Sequence, residues 1–237
     1  MRYYIDKSVL LNDIKVVAFD FDETFYSAEN MRELYLNYIK KTFKKLCGFD
    51  DKKTKEVMHS LGYTLESKTA PSFSQICTNF GVSDIEYHKY RITNYFEIDY
   101  NNAEIVSNET LERFAQLFNL YVVSNEINTI LESKITKINL NKALFKGIYS
   151  TPITATKTNS KDIPYLDIIH REHIKPSELL VIGDRFKVDI EPAIELGANG
   201  ILIDKPRDLI SIISQIEEQK NINWLKKLMN HNIHKFF

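Results

Sequence analysis

Three short apolar runs in this 237-residue chain each end directly on acidic or small polar residues, and this pattern constrains the fold most. The runs and the residues after them are Lys15–Phe19 before Asp20, Leu120–Val123 before Ser124, and Leu179–Ile182 before Gly183 and Asp184. Runs of this kind are typical of strands buried on both faces of a parallel sheet. Helical patterns lie between these runs at about 107–118, 126–138 and 162–172. Another follows the third run at about 189–196, and a last strand is predicted at Ile201–Ile203. The alternation predicts an α/β fold, a doubly wound, Rossmann-like parallel sheet.

The stretch 27–103 follows the first predicted strand and has a different character. It contains helical patterns at about 30–46, 51–61, 71–80 and 83–97, and no convincing strand. This predicts a helical cap domain at 27–103, inserted into an α/β core made of 1–26 and 104–237. Because the insertion starts where a strand ends, we expect it to lie as a lid over the carboxyl edge of the sheet.

The composition favours a globular protein and excludes several other classes. Hydrophobic residues make up 43% of the chain and charged residues 27%, which is enough for a packed core. The net charge of −1 gives no electrostatic argument for binding nucleic acid. The apolar runs are too short to span a bilayer, the first residues do not resemble an export signal, and Cys47 and Cys77 indicate reduced thiols. We therefore expect a cytoplasmic protein without nucleic-acid or membrane partners.

The acidic residues after the predicted strands indicate a metal site. The carboxyl ends of parallel strands meet at one edge of a sheet, so Asp20, Asp22 and Asp184 are expected to converge there. Converging carboxylates repel one another, and their pKa values rise, unless a cation joins them. A cluster of oxygen ligands suits Mg²⁺, which also binds water and substrate phosphate.

The order of these motifs resembles the haloacid dehalogenase (HAD) superfamily, most of whose members are Mg²⁺-dependent phosphatases. The resemblance covers about 15–24 and 105–205. It is carried, in order, by Asp20-Phe21-Asp22-Glu23-Thr24, Ser124, a lysine, and Gly183-Asp184 with Asp189.

The resemblance implies a role for each acidic residue. Asp20 would be the nucleophile that forms an aspartyl-phosphate, and Asp22 would protonate the leaving oxygen and then activate water. The carboxylates of Asp20 and Asp184, together with the backbone carbonyl of Asp22, would bind Mg²⁺. Asp189 would orient a metal-bound water or the lysine without binding the metal itself.

The resemblance also implies the residues that contact the substrate. Ser124 and a lysine would hold the phosphoryl oxygens. The lysine is either Lys157 or Lys161, and Lys161 is favoured because a proline follows it by three residues, at a predicted helix start. Thr24 and Asn125 are predicted to complete the substrate site, and Thr24 is also expected to cap the turn after Asp22.

Simpler structural roles are open for some of these residues. Ser124 could cap the helix predicted at 126–138, and Asp189 could cap the helix that follows it. Glu23 stands where the family usually has Gly or Asn, so it is expected to alter the local turn or to add negative charge near the metal.

The sequence therefore predicts a phosphatase that acts on a small phosphorylated metabolite, such as a nucleotide or a sugar phosphate. Two alternatives stay open: a phosphomutase on the same scaffold, and a non-catalytic binding protein that has kept the fold. The sequence does not identify the substrate or the oligomeric state. The apolar face of the tail at 219–237 is expected to pack against the core.

Overall fold

A computed structural model describes residues 1–5, 13–27, 32–60, 73–95, 99–151 and 162–219. Its strands are β1 (Arg2–Tyr4), β2 (Val16–Phe19), β3 (Tyr26–Ser27), β4 (Glu104–Ile105), β5 (Asn119–Ile127), β6 (Phe145–Thr151), β7 (Leu179–Gly183) and β8 (Asn199–Leu202). Its helices are α1 (Arg32–Cys47), α2 (Asp51–Ser60), α3 (Phe73–Asn79), α4 (Asp84–Thr93), α5 (Asn108–Leu117), α6 (Asn128–Lys137), α7 (Asp162–Arg171), α8 (Glu191–Glu195) and α9 (208–219).

Six of these strands form one sheet in the order β1-β8-β7-β2-β5-β6. Every neighbouring pair is parallel except β1 with β8. From β2 the chain moves outward to β5 and β6, and it later returns to the other side of β2 to form β7 and β8. Open α/β sheets bind ligands where the strand order reverses in this way. The predicted α/β fold with a doubly wound parallel sheet is confirmed, and the reversal lies at β2.

The buried side chains form three hydrophobic clusters in the described part of the chain. Two of them are built from the strands of the sheet and the helices that cover its faces. The third contains Ile39, Phe43 and Val57 and lies within helices α1 to α4 and their connections. Cys77 is buried in this third cluster, and Cys47 packs against it.

A two-stranded sheet joins the two ends of the predicted cap. Tyr26 pairs with Ile105 and Ser27 with Glu104, so β3 and β4 lie side by side. The sequence analysis did not predict these strands, because two residues are too few to show a period. The division into a cap at 27–103 and a core at 1–26 and 104–237 stays a prediction.

Helix α9 and strand β1 were also absent from the sequence prediction. Leu209, Ile212, Ile213 and Ile216 are buried on one face of α9, with the spacing of an amphipathic helix. β1 is a three-residue edge strand with mostly exposed side chains, so it has no apolar pattern. The tail beyond residue 219 and the two candidate lysines, Lys157 and Lys161, lie outside the described residues.

No helix in the described ranges is both long enough and apolar enough to cross a membrane.

Candidate active site

Two aspartates follow neighbouring strands at the centre of the sheet. Asp20 follows β2 and Asp184 follows β7, and these strands pair in parallel with Phe19 opposite Ile182. The backbone N–H of Asp20 donates to the carbonyl of Ile182 at 2.9 Å, which extends the pairing one step past the strand. The two carboxylates therefore start from adjacent backbone positions at the carboxyl edge, as the sequence predicted.

A third aspartate completes the cluster. One carboxylate oxygen each from Asp20, Asp184 and Asp189 lies within 4.8 Å of the other two, and all three residues are buried. Asp189 lies in a π-helical turn at Phe186–Ile190, where the backbone N–H of Arg185 donates to its Oδ2 at 2.8 Å. The residue at the N-cap of α8 is Ile190, so Asp189 does not cap that helix.

The donor set of this cluster fits a divalent cation. Three like charges in a buried space of this size are unfavourable unless a cation or a shared proton offsets them. All the donors are carboxylate oxygens, the ligand type that Mg²⁺ prefers. Asp20 and Asp184 were predicted as ligands and Asp189 as their support, and the structure brings all three together. The role of the Asp22 carbonyl as a further ligand stays a prediction.

Gly183 makes room for this cluster. A Cβ built on Gly183 would lie 2.6 Å from the Cβ of Asp189 and 2.7 Å from its Oδ2. The Cβ of Asp189 has no freedom to move away without its backbone. We therefore expect Gly183→Ala to displace Asp189 and to weaken Mg²⁺ binding by about 10- to 100-fold, a loss typical of disturbed ligand support.

Isothermal titration with Mg²⁺ measures this change in affinity. Gly81→Ala is not a suitable control, because Gly81 has a positive φ. Ala198→Gly is better, since it also exchanges Ala and Gly in the buried core beside β8. Unchanged Mg²⁺ affinity in Gly183→Ala would show that Asp189 does not support the metal site.

Thr24 contacts the predicted nucleophile. Its side chain is fully buried, and its Oγ1 donates to Oδ2 of Asp20 at 3.3 Å. The backbone N–H of Thr24 reaches the carbonyl of Phe21 at 3.3 Å, so the residue also closes the turn, as expected. This contact orients the Asp20 carboxylate, and a direct contact between Thr24 and the substrate stays a prediction.

Glu23 occupies a left-handed backbone conformation, with φ of 59°. Gly and Asn adopt this conformation at low cost, whereas other residues lose about 1–2 kcal/mol there. This cost explains why the HAD superfamily, which the sequence resembles, usually has Gly or Asn at the position of Glu23. The side chain of Glu23 is exposed and accepts a hydrogen bond from the Ser27 hydroxyl at 2.9 Å.

We expect Glu23→Asn to stabilise the protein by about 1 kcal/mol, which raises the melting temperature by roughly 2–4 °C. The gain comes from relief of backbone strain. Glu23→Ala is the matched control, because it removes the same hydrogen bond but keeps the strain, and it should not stabilise. Thermal unfolding of the wild type, Glu23→Asn and Glu23→Ala measures the difference. Equal melting temperatures for the two variants would exclude backbone strain at Glu23.

Ser124 does not cap a helix, and that part of the sequence interpretation was wrong. β5 continues past Val123 to Ile127 through an irregular register, and α6 begins at Asn128. The Oγ of Ser124 instead accepts a hydrogen bond from the backbone N–H of Glu126 at 3.0 Å, within β5. Ser124 is buried within β5, two residues past Val122, which pairs with Phe19 at the end of β2, and Asn125 beside it is half-buried. Their contacts with a phosphoryl group stay predictions.

A buried lysine that the sequence analysis missed binds Asp22. Lys134 Nζ donates to Oδ1 of Asp22 at 2.5 Å and to Oε2 of Glu126 at 2.8 Å. Tyr26 donates its hydroxyl hydrogen to the same Oδ1 of Asp22. The same Oε2 of Glu126 also accepts Nη2 of Arg91, from α4, at 2.6 Å. These contacts form a continuous chain of alternating charges, Asp22–Lys134–Glu126–Arg91, which we call the charge chain.

Contacts in and beside the charge chain determine the protonation states of Glu126, Lys134 and the neighbouring Tyr26. Burial by itself would raise the pKa of Glu126, but the charges of Arg91 and Lys134 overcome it and hold that pKa well below its usual range. Burial would lower the pKa of Lys134, but Asp22 and Glu126 raise it above its usual range. Burial, with Asp22 nearby, raises the pKa of Tyr26 well above its usual range. At neutral pH Glu126 is therefore ionised, Lys134 is charged, and Tyr26 is a neutral donor.

One signal in the sequence could have revealed Lys134. It shares the buried face of α6 with Ile130, Leu131 and Ile135. A lysine in the middle of an apolar stripe needs a buried partner.

Comparison with known proteins identifies the family. The family model for the haloacid dehalogenase-like hydrolases matches residues 17–203, which is most of the chain. The chain belongs to this family. Both the match and the fold confirm the resemblance seen in the motifs. A comparison with curated protein sequences gives no match.

Solved structures of this HAD family share the fold. A predicted phosphoglycolate phosphatase from Haemophilus somnus is 18% identical, with a TM-score of 0.53 over 83% of this chain and 91% of that chain. A HAD phosphatase from Thermococcus onnurineus is 18% identical, with a TM-score of 0.50 over 81% of this chain and 86% of that chain. A HAD-like hydrolase from Xanthomonas campestris is 13% identical, with a TM-score of 0.50 over 87% of this chain and 97% of that chain. At these identities the likenesses establish the fold and not the reaction.

Proposed function

We propose that this HAD hydrolase is a Mg²⁺-dependent phosphatase that hydrolyses a small phosphorylated metabolite through an aspartyl-phosphate on Asp20. The observation that carries the proposal is the placement of the aspartates. Asp20 lies in a buried three-carboxylate cluster, whereas Asp22, two residues later, has a side chain that is 39% exposed and lies outside the cluster. This difference supports Asp20 as the carboxylate for metal-assisted attack and Asp22 as the one for proton transfer to a leaving group.

The first half-reaction transfers the phosphoryl group to the protein. A carboxylate oxygen of Asp20 attacks phosphorus, and the bond between phosphorus and the leaving oxygen breaks. Asp22 gives its proton to that oxygen, so the alcohol departs neutral. Thr24 keeps the Asp20 carboxylate oriented through its hydrogen bond at 3.3 Å. Ser124 and the predicted lysine, Lys161 in preference to Lys157, hold the remaining phosphoryl oxygens.

The second half-reaction regenerates the protein. Asp22, now a carboxylate, takes a proton from water, and the water oxygen attacks phosphorus. The bond between phosphorus and Asp20 breaks, inorganic phosphate leaves, and Asp20 is again a free carboxylate. When bound to Asp20, Asp184 and their neighbours, Mg²⁺ supplies positive charge that offsets repulsion between the carboxylates and the phosphate.

The placement of Asp22 and of the carboxylate cluster favours a phosphatase over a dehalogenase. Loss of a halide requires neither a proton donor nor a metal, so Asp22 and the buried carboxylate cluster would have no task in a dehalogenase. A phosphomutase would use the same residues, and it is distinguished by its product, an isomer of the sugar phosphate without release of inorganic phosphate. A binding protein that has lost catalysis would show neither product.

The test is a screen of purified protein against a panel of phosphorylated metabolites, with release of inorganic phosphate as the readout. We expect turnover that requires Mg²⁺, stops when EDTA is added and returns when Mg²⁺ is restored in excess. Formation of a phosphate isomer without phosphate release would assign a mutase instead. Absence of any turnover across the panel and with 4-nitrophenyl phosphate would refute the proposal.

A further inference from the structure

The charge chain holds the residue that the proposed reaction uses for proton transfer. Lys134 Nζ and the Tyr26 hydroxyl both donate to Oδ1 of Asp22. Among the described residues these are the side-chain hydrogen bonds to the Asp22 carboxylate, and both are made to Oδ1 rather than Oδ2. A carboxylate with one oxygen fixed by two donors has little rotational freedom, which is what a positioned acid and base requires.

Lys134 is buried and is fixed by two ion pairs. Its side chain is only 5% exposed, and burying an ammonium group is strongly unfavourable unless partners compensate. Both compensating partners are carboxylates, Asp22 and Glu126. Glu126 is fixed on both oxygens, because its Oε1 accepts the N–H of Ile127 at 2.9 Å and its Oε2 accepts Lys134 and Arg91. Lys134 therefore presents its charge to Asp22 from a rigid support.

A purely structural role explains this arrangement less well. Buried ion pairs contribute little to stability compared with well-packed apolar side chains, and α6 is otherwise packed with such side chains on this face. Exposed pairs elsewhere, such as Lys142 with Glu132, lie on the surface, where the charges stay hydrated and pay little desolvation energy. The one end of the charge chain that reaches the surface of the site is Asp22, whose side chain is 39% exposed.

We propose that Lys134, supported by Glu126 and Arg91, is the positioning residue that holds the Asp22 carboxylate for proton transfer to the leaving group. This inference rests on the proposed phosphatase function. Arg91 comes from α4, in the predicted cap, so the support of Asp22 includes a contact that exists only while α4 lies against the core. Lys134 acts through Asp22 and does not contact the reacting phosphorus.

Leaving groups of different basicity test the proposal. 4-Nitrophenolate departs without a proton, whereas the alkoxide of benzyl phosphate requires one, and both substrates carry a single aromatic ring. We expect Lys134→Met to lower kcat/KM for benzyl phosphate by about 10²-fold and for 4-nitrophenyl phosphate by less than about 10-fold. kcat/KM is the right quantity, because it reports the steps up to transfer of the phosphoryl group to Asp20.

Lys134→Met leaves the buried Arg91–Glu126 pair balanced in charge, which favours folding, and thermal unfolding checks it. If it does not fold, Lys134→Gln carries the same comparison, with a smaller loss because an amide still donates to Asp22. Lys142→Met removes an exposed lysine and should leave both kcat/KM values at the wild-type level. Equal losses on the two substrates would overturn the inference while leaving the phosphatase proposal in place. Absence of wild-type turnover would overturn both.

Discussion

Asp20→Asn should reduce phosphatase activity by about 10⁴-fold or more, to the background of the uncatalysed reaction. The amide is almost the same size as the carboxylate, so the fold and the hydrogen bond from Thr24 can persist while the nucleophilic oxygen is lost. The measurement is Mg²⁺-dependent release of 4-nitrophenol, made alongside thermal unfolding to show that the variant is folded.

Asp167→Asn is the matched control for this variant. Asp167 is an exposed aspartate on α7, with a side chain that is 50% exposed, and it lies outside the carboxylate cluster. Its substitution changes the charge by the same amount and should leave turnover at the wild-type level. Turnover by Asp20→Asn within a factor of ten of the wild type would rule out Asp20 as the nucleophile.

Asp184→Asn should have opposite effects on the protein with and without metal. Without divalent ions, it removes one of three buried like charges, so the melting temperature should rise. With Mg²⁺, the wild type should gain about 2.7 kcal/mol of stability at a hundred times the dissociation constant, and the variant should gain almost nothing at that concentration. Activity should fall by at least about 10²-fold.

Thermal unfolding of wild type and variant, in EDTA and across a Mg²⁺ titration, measures both effects. Asp167→Asn again serves as the control, and its response to Mg²⁺ should match that of the wild type. A variant that keeps the full Mg²⁺-induced rise in melting temperature would show that the metal binds elsewhere.

The core of the fold could be predicted because its strands carry a strong signal. β2 and β7 are buried on both faces, so each appears as an unbroken apolar run that ends at an aspartate. Parallel pairing then brings Asp20 and Asp184 to one edge without any further information. The short strands β1, β3 and β4 lacked such a signal, because each has two or three residues and is fixed by its partner rather than by its own sequence.

The chemistry around Asp22 was harder to predict because it depends on tertiary contacts. Lys134 lies 112 positions from Asp22, and Arg91 lies 35 positions from Glu126. No local pattern states that α4 and α6 approach the loop after β2. Ser124 was misjudged for a related reason: the polar residues after Val123 suggested a strand end, but pairing with β6 extends β5 to Ile127.

The most direct test of the account is to observe the phosphoryl group on Asp20. On the proposed mechanism, Asp22→Asn should slow hydrolysis of the intermediate, since it removes the proposed base, while 4-nitrophenyl phosphate should still phosphorylate the protein without a proton donor. Acid-quenched Asp22→Asn, digested and analysed by mass spectrometry, should carry one phosphoryl group on the peptide that contains Asp20, and hydroxylamine should remove it. Turnover with a phosphoryl group on another residue, such as Ser124, or with none on the protein, would contradict the account.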